Sequence, residues 1–208
     1  MDINKKGILL VVSGPSGSGK GTVLSHILED REHYALSVSL TTRAPRQGEK
    51  NGVNYYFVTE KEFFENVNAN NMLEYASFCD NFYGTPANKV NDLLEQGINV
   101  ILEIETKGAM QVKKACPDAV LVMILPPSYA TLSFRLHNRN TETERTIQKR
   151  LNEAKKELKK LHKYDYCVIN HDFESEKAAE DIRSIVEAER RKTARNPAIL
   201  DAFYSEKF

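Results

Sequence analysis

The run Gly14-Pro15-Ser16-Gly17-Ser18-Gly19-Lys20-Gly21-Thr22 carries the residue types that bind phosphate. Glycines let the backbone curl so that successive N–H groups converge on one anion, and a helix beginning there adds its positive end. Lys20 supplies a mobile charge for the outer phosphates. The plain alternative is a turn that merely joins strand to helix. The flanks argue against it: Ile8-Leu9-Leu10-Val11-Val12 precedes the run, and Val23, Leu24, Ile27 and Leu28 follow at helical spacing. Further on, Arg43 and Arg46 stand three apart in a proline-containing loop, where two guanidinium forks can clamp one phosphate. Alone, that pair reads more simply as arginines facing water. Glu103 and Glu105 are two apart and share one face of an expected strand. Its C-terminal end is the edge at which open α/β sheets bind ligands.

The apolar pattern supplies a scaffold for these groups. Continuous apolar runs at 8–12, 99–105 and 119–125, with a short one at Tyr166-Cys167-Val168-Ile169, read as strands buried on both faces. Helices are expected after the glycine run, from about Ala109 to Ala115, from Ser128 through Leu132, Phe134, Arg135 and Leu136, from about Glu142 to Lys163, and from Ser175 to Arg195 before Asn196-Pro197. Strands alternating with helices give an α/β fold, a parallel sheet flanked by helices. Residues 37–88 break the rhythm and read as a small inserted subdomain. Here Leu36 to Thr42, Tyr55 to Val58 and Met72 to Phe78 are expected strands. Thr59 and Glu62 form a capping box for a helix carrying Phe63, Phe64 and Val67. Asn81 to Pro86 reads as a turn into a helix that stops near Gly97.

Length and composition fit one folding unit. The 208 residues carry 29 basic and 29 acidic side chains, so nothing in the balance points to a nucleic-acid or membrane partner. No run spans a bilayer, and no secretory apolar segment opens the chain. Cys79, Cys116 and Cys167 lack metal-ligand spacing and read as reduced thiols of a cytoplasmic protein.

The Gly-Lys-Gly-Thr ending of the loop resembles nucleoside monophosphate kinases more than GTPases or motor ATPases. Four further motifs follow in order: Thr41-Thr42-Arg43-Ala44-Pro45-Arg46, Asn51-Gly52-Val53-Asn54-Tyr55-Tyr56-Phe57, Glu74-Tyr75-Ala76 and Asn81-Phe82-Tyr83-Gly84-Thr85. From about Gly7 to Asp172 the chain closely resembles the guanylate kinase family. The resemblance implies ATP as phosphoryl donor and GMP, with dGMP, as acceptor. Ser39, Arg43, Arg46, Tyr55 and Tyr83 match the residues that hold the acceptor phosphate, and Glu74 and Thr85 those that read guanine. Glu103 and Glu105 fall at the acidic end of the GMP site. Arg135, Arg139 and Arg150 match lid arginines that act with Lys20 and Arg43 on the transferring group. Asn170 matches a position near adenine. The implied layout is a core of residues 1–36, 89–132 and 164–208, a GMP-binding insertion at 37–88 and a lid at 133–163.

The base chemistry agrees with that assignment. A carboxylate accepts from guanine N1–H and the 2-amino group, and a hydroxyl can donate to O6, whereas adenine would leave the carboxylate unpaired. The apolar alternates of Glu74, namely Met72, Ala76 and Phe78, argue against a solvated face. Several positions depart from the family pattern. Gly21 stands where a hydroxyl is usual, so Mg²⁺ is expected to come with ATP, held through phosphates and water. Glu105 replaces an Asp, Lys107 a Gln, Asn140 a Gly, and His171 a frequent acid. Lys107 can pair with Glu105 or point outward, and a strand-to-helix turn favours the latter. A scaffold domain that binds phosphopeptides is the rival from another class, but such domains have a degraded loop. The aromatic tail Ala202-Phe203-Tyr204 with Phe208 can dock on the body or on another subunit, and oligomeric state is not legible.

Overall fold

The computed structural model describes residues 5–138 and 143–205. In chain order the first half holds β1 (Leu9–Ser13), α1 (Lys20–Ile27), β2 (Tyr34–Leu36), β3 (Leu40–Thr41), β4 (Tyr56–Phe57), α2 (Glu60–Asn68), β5 (Met72–Phe78), β6 (Asn81–Pro86) and α3 (Ala87–Glu95). The second half holds β7 (Asn99–Glu103), α4 (Thr106–Ala115), β8 (Val120–Leu125), α5 (Tyr129–His137), α6 (Glu144–Leu158), β9 (Tyr166–Ile169), α7 (Ser175–Arg190) and α8 (Ile199–Ser205).

β1 is buried throughout because it lies in the middle of a five-stranded parallel sheet ordered β2-β7-β1-β8-β9. Successive residues of a strand point to opposite faces, and β1 divides its side chains accordingly. Leu10 and Val12 join Val23 and Ile27 of α1 and Ala179, Ile182 and Val186 of α7. Leu9 and Val11 join Val90 and Leu94 of α3, Ala109 and Val112 of α4, and Leu73 of β5. A third cluster packs α5 on α6 through Leu132, Leu136, Ile147, Leu151 and Ala154.

The second sheet, ordered β4-β3-β6-β5, draws all its strands from residues 40–86. Two expectations change here. The single strand from Leu36 to Thr42 divides: β2 pairs with β7, β3 pairs with β4 and β6, and the residues between carry the chain from one sheet to the other. Asn81–Pro86, expected as a turn, is β6, the antiparallel partner of β5. Cys79 and Asp80 connect them, both at positive φ (47° and 58°), the hairpin geometry that an Asn-Gly pair would have announced. The capping box forms as expected, with Thr59 Oγ1 accepting from the Glu62 N–H and Glu62 accepting from the Thr59 N–H.

Helix ends also shift. α6 begins after Thr143, whose hydroxyl caps it, and stops at Leu158. α7 ends at Arg190, and a separate 3₁₀ turn covers Thr193–Arg195. The tail is helical in α8, where Phe203 and Tyr204 stack edge to face and stay exposed instead of docking on the body. Phe208 lies outside the described residues.

One buried charge ties the C-terminal elements together. Glu189, 2% exposed, accepts from the Tyr166 hydroxyl (2.7 Å), from Arg195 (3.1 and 3.3 Å) and from Lys192. Burial alone would raise its carboxyl, but these donors outweigh burial and the net shift is downward. Glu189→Ala removes the acceptor shared by Tyr166, Lys192 and Arg195, though Arg195 keeps the Asp118 carbonyl, so urea denaturation should show a loss of about 1–3 kcal/mol at neutral pH. A depressed carboxyl contributes above its ordinary range and loses that contribution as pH falls. The gap between variant and parent should therefore narrow in acid.

Candidate active site

The glycine run connects β1 to α1 at the C-terminal edge of the parallel sheet. Gly19 caps α1 in the left-handed region (φ 85°), and Lys20 reaches back to donate to the Gly14 carbonyl. Behind the loop, Gly17 faces Leu132 and Leu136 of α5 so closely that a Cβ would stand 3.1 Å from each. Ser16 is exposed and accepts from the Arg150 guanidinium of α6. Gly21 has open space where a Cβ would sit, and Thr22 is exposed.

Arg135 of α5 is committed to the loop and its neighbours. Its Nε and Nη2 donate to Asp172 Oδ1 (3.0 and 2.7 Å), Nη2 also to the Asn170 carbonyl (2.9 Å), and Nη1 to the Ser18 carbonyl (3.3 Å). Asn170, 4% exposed, donates Nδ2 to the same Ser18 carbonyl at 2.9 Å. Arg139 and Asn140 lie outside the described residues.

Across the sheet edge, Arg43 is held by Glu49. Nη2 donates to both carboxylate oxygens at 2.9 Å, and Nη1 to the Ala44 carbonyl at 2.7 Å. The guanidinium carbon lies 5.5 Å from the Tyr55 ring centre and 5.8 Å from that of Phe57. Tyr83 meets Tyr55 edge on at 5.9 Å. The Arg46 N–H donates to Glu49 at 2.8 Å, and that bond, followed by the Arg43 fork, holds the Glu49 carboxyl below the usual carboxylate range. The Arg46 side chain is exposed. Ser39, Tyr55, Thr85 and Glu103 line one cavity of about 200 Å³.

Glu74 and Thr85 face each other in the β5–β6 register, and the Thr85 hydroxyl donates to Glu74 Oε1 at 2.8 Å. Glu74 is only 8% exposed, and burial pushes its carboxyl up, with the Thr85 bonds offsetting part of the rise. The reason for burial differs from the simple alternation read in the sequence. A bulge between Met72 and Glu74 lets Leu73 and Glu74 both turn inward, while Phe78 is 69% exposed. α4 completes the enclosure: Gly108 comes so near that a Cβ would stand 3.1 Å from Glu74 Oε2.

β7 ends at Glu103, and Glu105 caps α4 without a side-chain bond. Ser13 donates to the Ile104 carbonyl at 2.8 Å, which places the start of the glycine loop beside the β7–α4 turn. Glu105 and Lys107 are both exposed, and no ion pair joins them among the described residues. Burial raises the carboxyl of Glu157 on α6, opposed by Lys20 and reinforced by Glu105, so this helix brings an acid to the loop. A cavity of about 420 Å³ lies at the opposite edge, lined by Lys6, Ile8, Asp118 and Arg195. None of the motif residues reach it, and the N-terminal ends of parallel strands are not where such sheets bind ligands.

The order of glycine loop, arginine pair and buried carboxylate around one sheet edge has close counterparts. A sequence model described as guanylate kinase matches residues 6–189. The guanylate kinase of Clostridioides difficile is 45% identical over 202 residues, covering 97% of this chain and 98% of its own length. That of Latilactobacillus sakei is 44% identical over 202 residues, 97% of each. The chain belongs to the guanylate kinase family. A crystal structure of guanylate kinase from Anaplasma phagocytophilum superposes with a TM-score of 0.74 at 32% identity, covering 99% of this chain and 97% of that one.

Within this guanylate kinase framework three carboxylates escape motif reading. Glu49 holds Arg43, Asp172 holds Arg135, and the Lys20 charge lowers the carboxyl of Glu157 against its burial. Asp172 follows directly on His171, the position at which the family often has an acid. Glu157 had a signal, since it lies seven residues after Arg150 and hence on the same side of the helix. Glu49 and Asp172 had none beyond the need of a loop arginine for a counter-charge.

The raised Glu74 carboxyl has a stability consequence. A folded-state pKa above the unfolded value means a penalty that sets in as pH rises past the ordinary carboxylate range and is complete above the raised value. Glu74→Gln should therefore melt higher than the parent at neutral pH, by about 2–4 °C for each kcal/mol relieved in a chain of this size. In acid the two melting points should converge. Thermal scans from pH 4 to 8 measure this, and a parent that stays the more stable at neutral pH contradicts the burial argument.

Proposed function

We infer that the chain transfers the γ-phosphoryl group of ATP to GMP, and to dGMP, giving ADP and the nucleoside diphosphate. The observation that carries this reading is the buried Glu74–Thr85 pair on the sheet that also presents Arg43, Tyr55 and Tyr83. Guanine offers Glu74 its N1–H and 2-amino donors. Thr85, once released from the carboxylate, can offer its proton to O6. Adenine would leave a desolvated carboxylate without donors, a mismatch worth several orders of magnitude.

The reaction needs positioning and charge neutralisation more than a covalent group on the enzyme. The acceptor phosphate is itself the nucleophile and is largely ionised near neutral pH, so no dedicated base is required. We assign Arg43, Arg46, Ser39, Tyr55 and Tyr83 to that phosphate. The backbone N–H groups of Gly14 and of Ser16 to Thr22, with the Lys20 ammonium, serve the donor, and Arg150 with Arg139 the transferring group. Residues 37–88 then act as the GMP-binding unit and 133–163 as the lid. The self-contained sheet of residues 40–86 and the α5–α6 packing cluster support this division.

Mg²⁺ accompanies ATP in this reading. Among the described residues no cluster of His, Cys, Asp or Glu forms a cage for it, and we assign its coordination to phosphates and water. Exposed oxygens of Thr22 and Glu105 are the side-chain groups that would face that hydrated ion, whose contribution is charge neutralisation between donor and acceptor. No described helix is long and apolar enough to cross a membrane. We place the enzyme in the cytoplasm, a reading that the three free cysteines support.

An ATP-coupled assay over GMP, dGMP, AMP, CMP and UMP tests the reading. Specificity constants for GMP and dGMP should exceed that for AMP by about 10⁴ or more, the scale for a site built on substrate donors. Comparable turnover of AMP would refute the guanine assignment.

A further inference from the structure

We propose that Arg135 and Asn170 are positioning residues that clamp the Ser18 carbonyl and thereby aim the phosphate-binding loop, Asn170 reading no part of the base. The inference rests on the loop's assignment to the donor phosphates. Both side chains donate to the same oxygen from outside the loop, Asn170 at 2.9 Å and Arg135 at 3.3 Å. The peptide linking Ser18 to Gly19 is planar and trans, so its N–H points opposite to its carbonyl. Pinning the carbonyl outward therefore fixes where the Gly19 N–H points, at the position where α1 begins and its positive end is strongest.

The rest of the arrangement serves the same purpose. Asp172 takes two donors of Arg135, and the Asn170 carbonyl takes another, so the guanidinium cannot swing to a phosphoryl group without breaking four bonds. Asn170 is itself anchored, its N–H donating to the Leu125 carbonyl at the end of β8. Its Oδ1 is fully buried and without a partner. The side chain as a whole is 4% exposed, and its Nδ2 is spent on the loop. Gly19 leaves room for the clamp: a Cβ there would stand 2.3 Å from Asn170 Nδ2, at a φ of 85° that already disfavours a side chain.

The test separates loop from base. Inorganic tripolyphosphate, which carries no base, is measured as a competitor of ATP in the parent, Asn170→Ala, Arg135→Lys and the double variant. GTP is compared with ATP as donor in each. With a clamp, each single variant should weaken tripolyphosphate about tenfold, the scale of one orienting hydrogen bond. KM for ATP should rise in step while KM for GMP as acceptor holds, and the ATP-to-GTP ratio should stay within about twofold. Because the two donors share one carbonyl, their effects should be non-additive in the double variant. Unchanged tripolyphosphate affinity with a collapsed ATP-to-GTP ratio would make Asn170 a base reader and overturn the proposal. Strict additivity, or a loss confined to kcat in Arg135→Lys, would also overturn it. Should Asn170→Ala fail to fold, Arg135→Lys carries the test alone, since it keeps charge and stem. A parent that does not bind tripolyphosphate at all would instead defeat the assignment of the loop.

Discussion

Two polyanions must meet before a phosphoryl group can pass between them, and every cation recruited for that task needs an anchor of its own. The chain carries equal numbers of acidic and basic side chains, so its site cannot rely on a surplus of charge. It relies on placement. Lys20 is folded onto the Gly14 carbonyl, Arg43 onto Glu49, Arg135 onto Asp172 and Arg150 onto Ser16. Each anchor fixes a long flexible side chain whose ordering would otherwise cost rotamer entropy at the moment of binding. The sheet makes the arrangement possible, because β1 and β7 end side by side and deliver the glycine loop and the acidic turn to one edge.

Against this background of satisfied charges, Glu74 stands apart. It is buried with a single hydroxyl partner, and its carboxyl is raised as a result. A sequence optimised for stability alone would place an amide or an apolar residue there. Keeping the acid makes sense where a substrate supplies the missing donors, and the β5 bulge with the close approach of Gly108 holds the carboxylate in that desolvated place. Glu189 shows the contrast within the same chain. It is as deeply buried, yet three protein donors surround it and its carboxyl is lowered.

Local signals made much of this legible. A buried β1, a glycine loop opening a helix, and the Thr59–Glu62 capping box depend on neighbours in sequence, and they formed as the residues indicate. Features that depend on distant partners were hidden. β6 lacks a glycine-bearing hairpin turn, since Cys79 and Asp80 adopt positive φ without one. The run from Leu36 to Thr42 alternates like one strand but serves two sheets, a division set by the partners on either side. Glu49 and Asp172 look like ordinary polar residues until the fold brings Arg43 to the one and Arg135 to the other. Lys107, which the sequence leaves between an ion pair with Glu105 and an outward position, is exposed.

Proton linkage measures directly whether guanine donors complete the desolvated Glu74 carboxyl. Donors from N1 and the 2-amino group favour the charged form, so GMP should draw the raised carboxyl back down and expel a proton. Calorimetric titration of GMP near pH 5.5, just above the ordinary carboxylate range, reports that proton when repeated in two buffers of different ionisation heat. The GMP phosphate titrates in the same region, and Glu74→Gln provides the reference that cancels its share. The parent should release more protons than Glu74→Gln, with the difference vanishing toward pH 8. Equal release from both proteins at every pH would contradict the assignment of Glu74 to guanine.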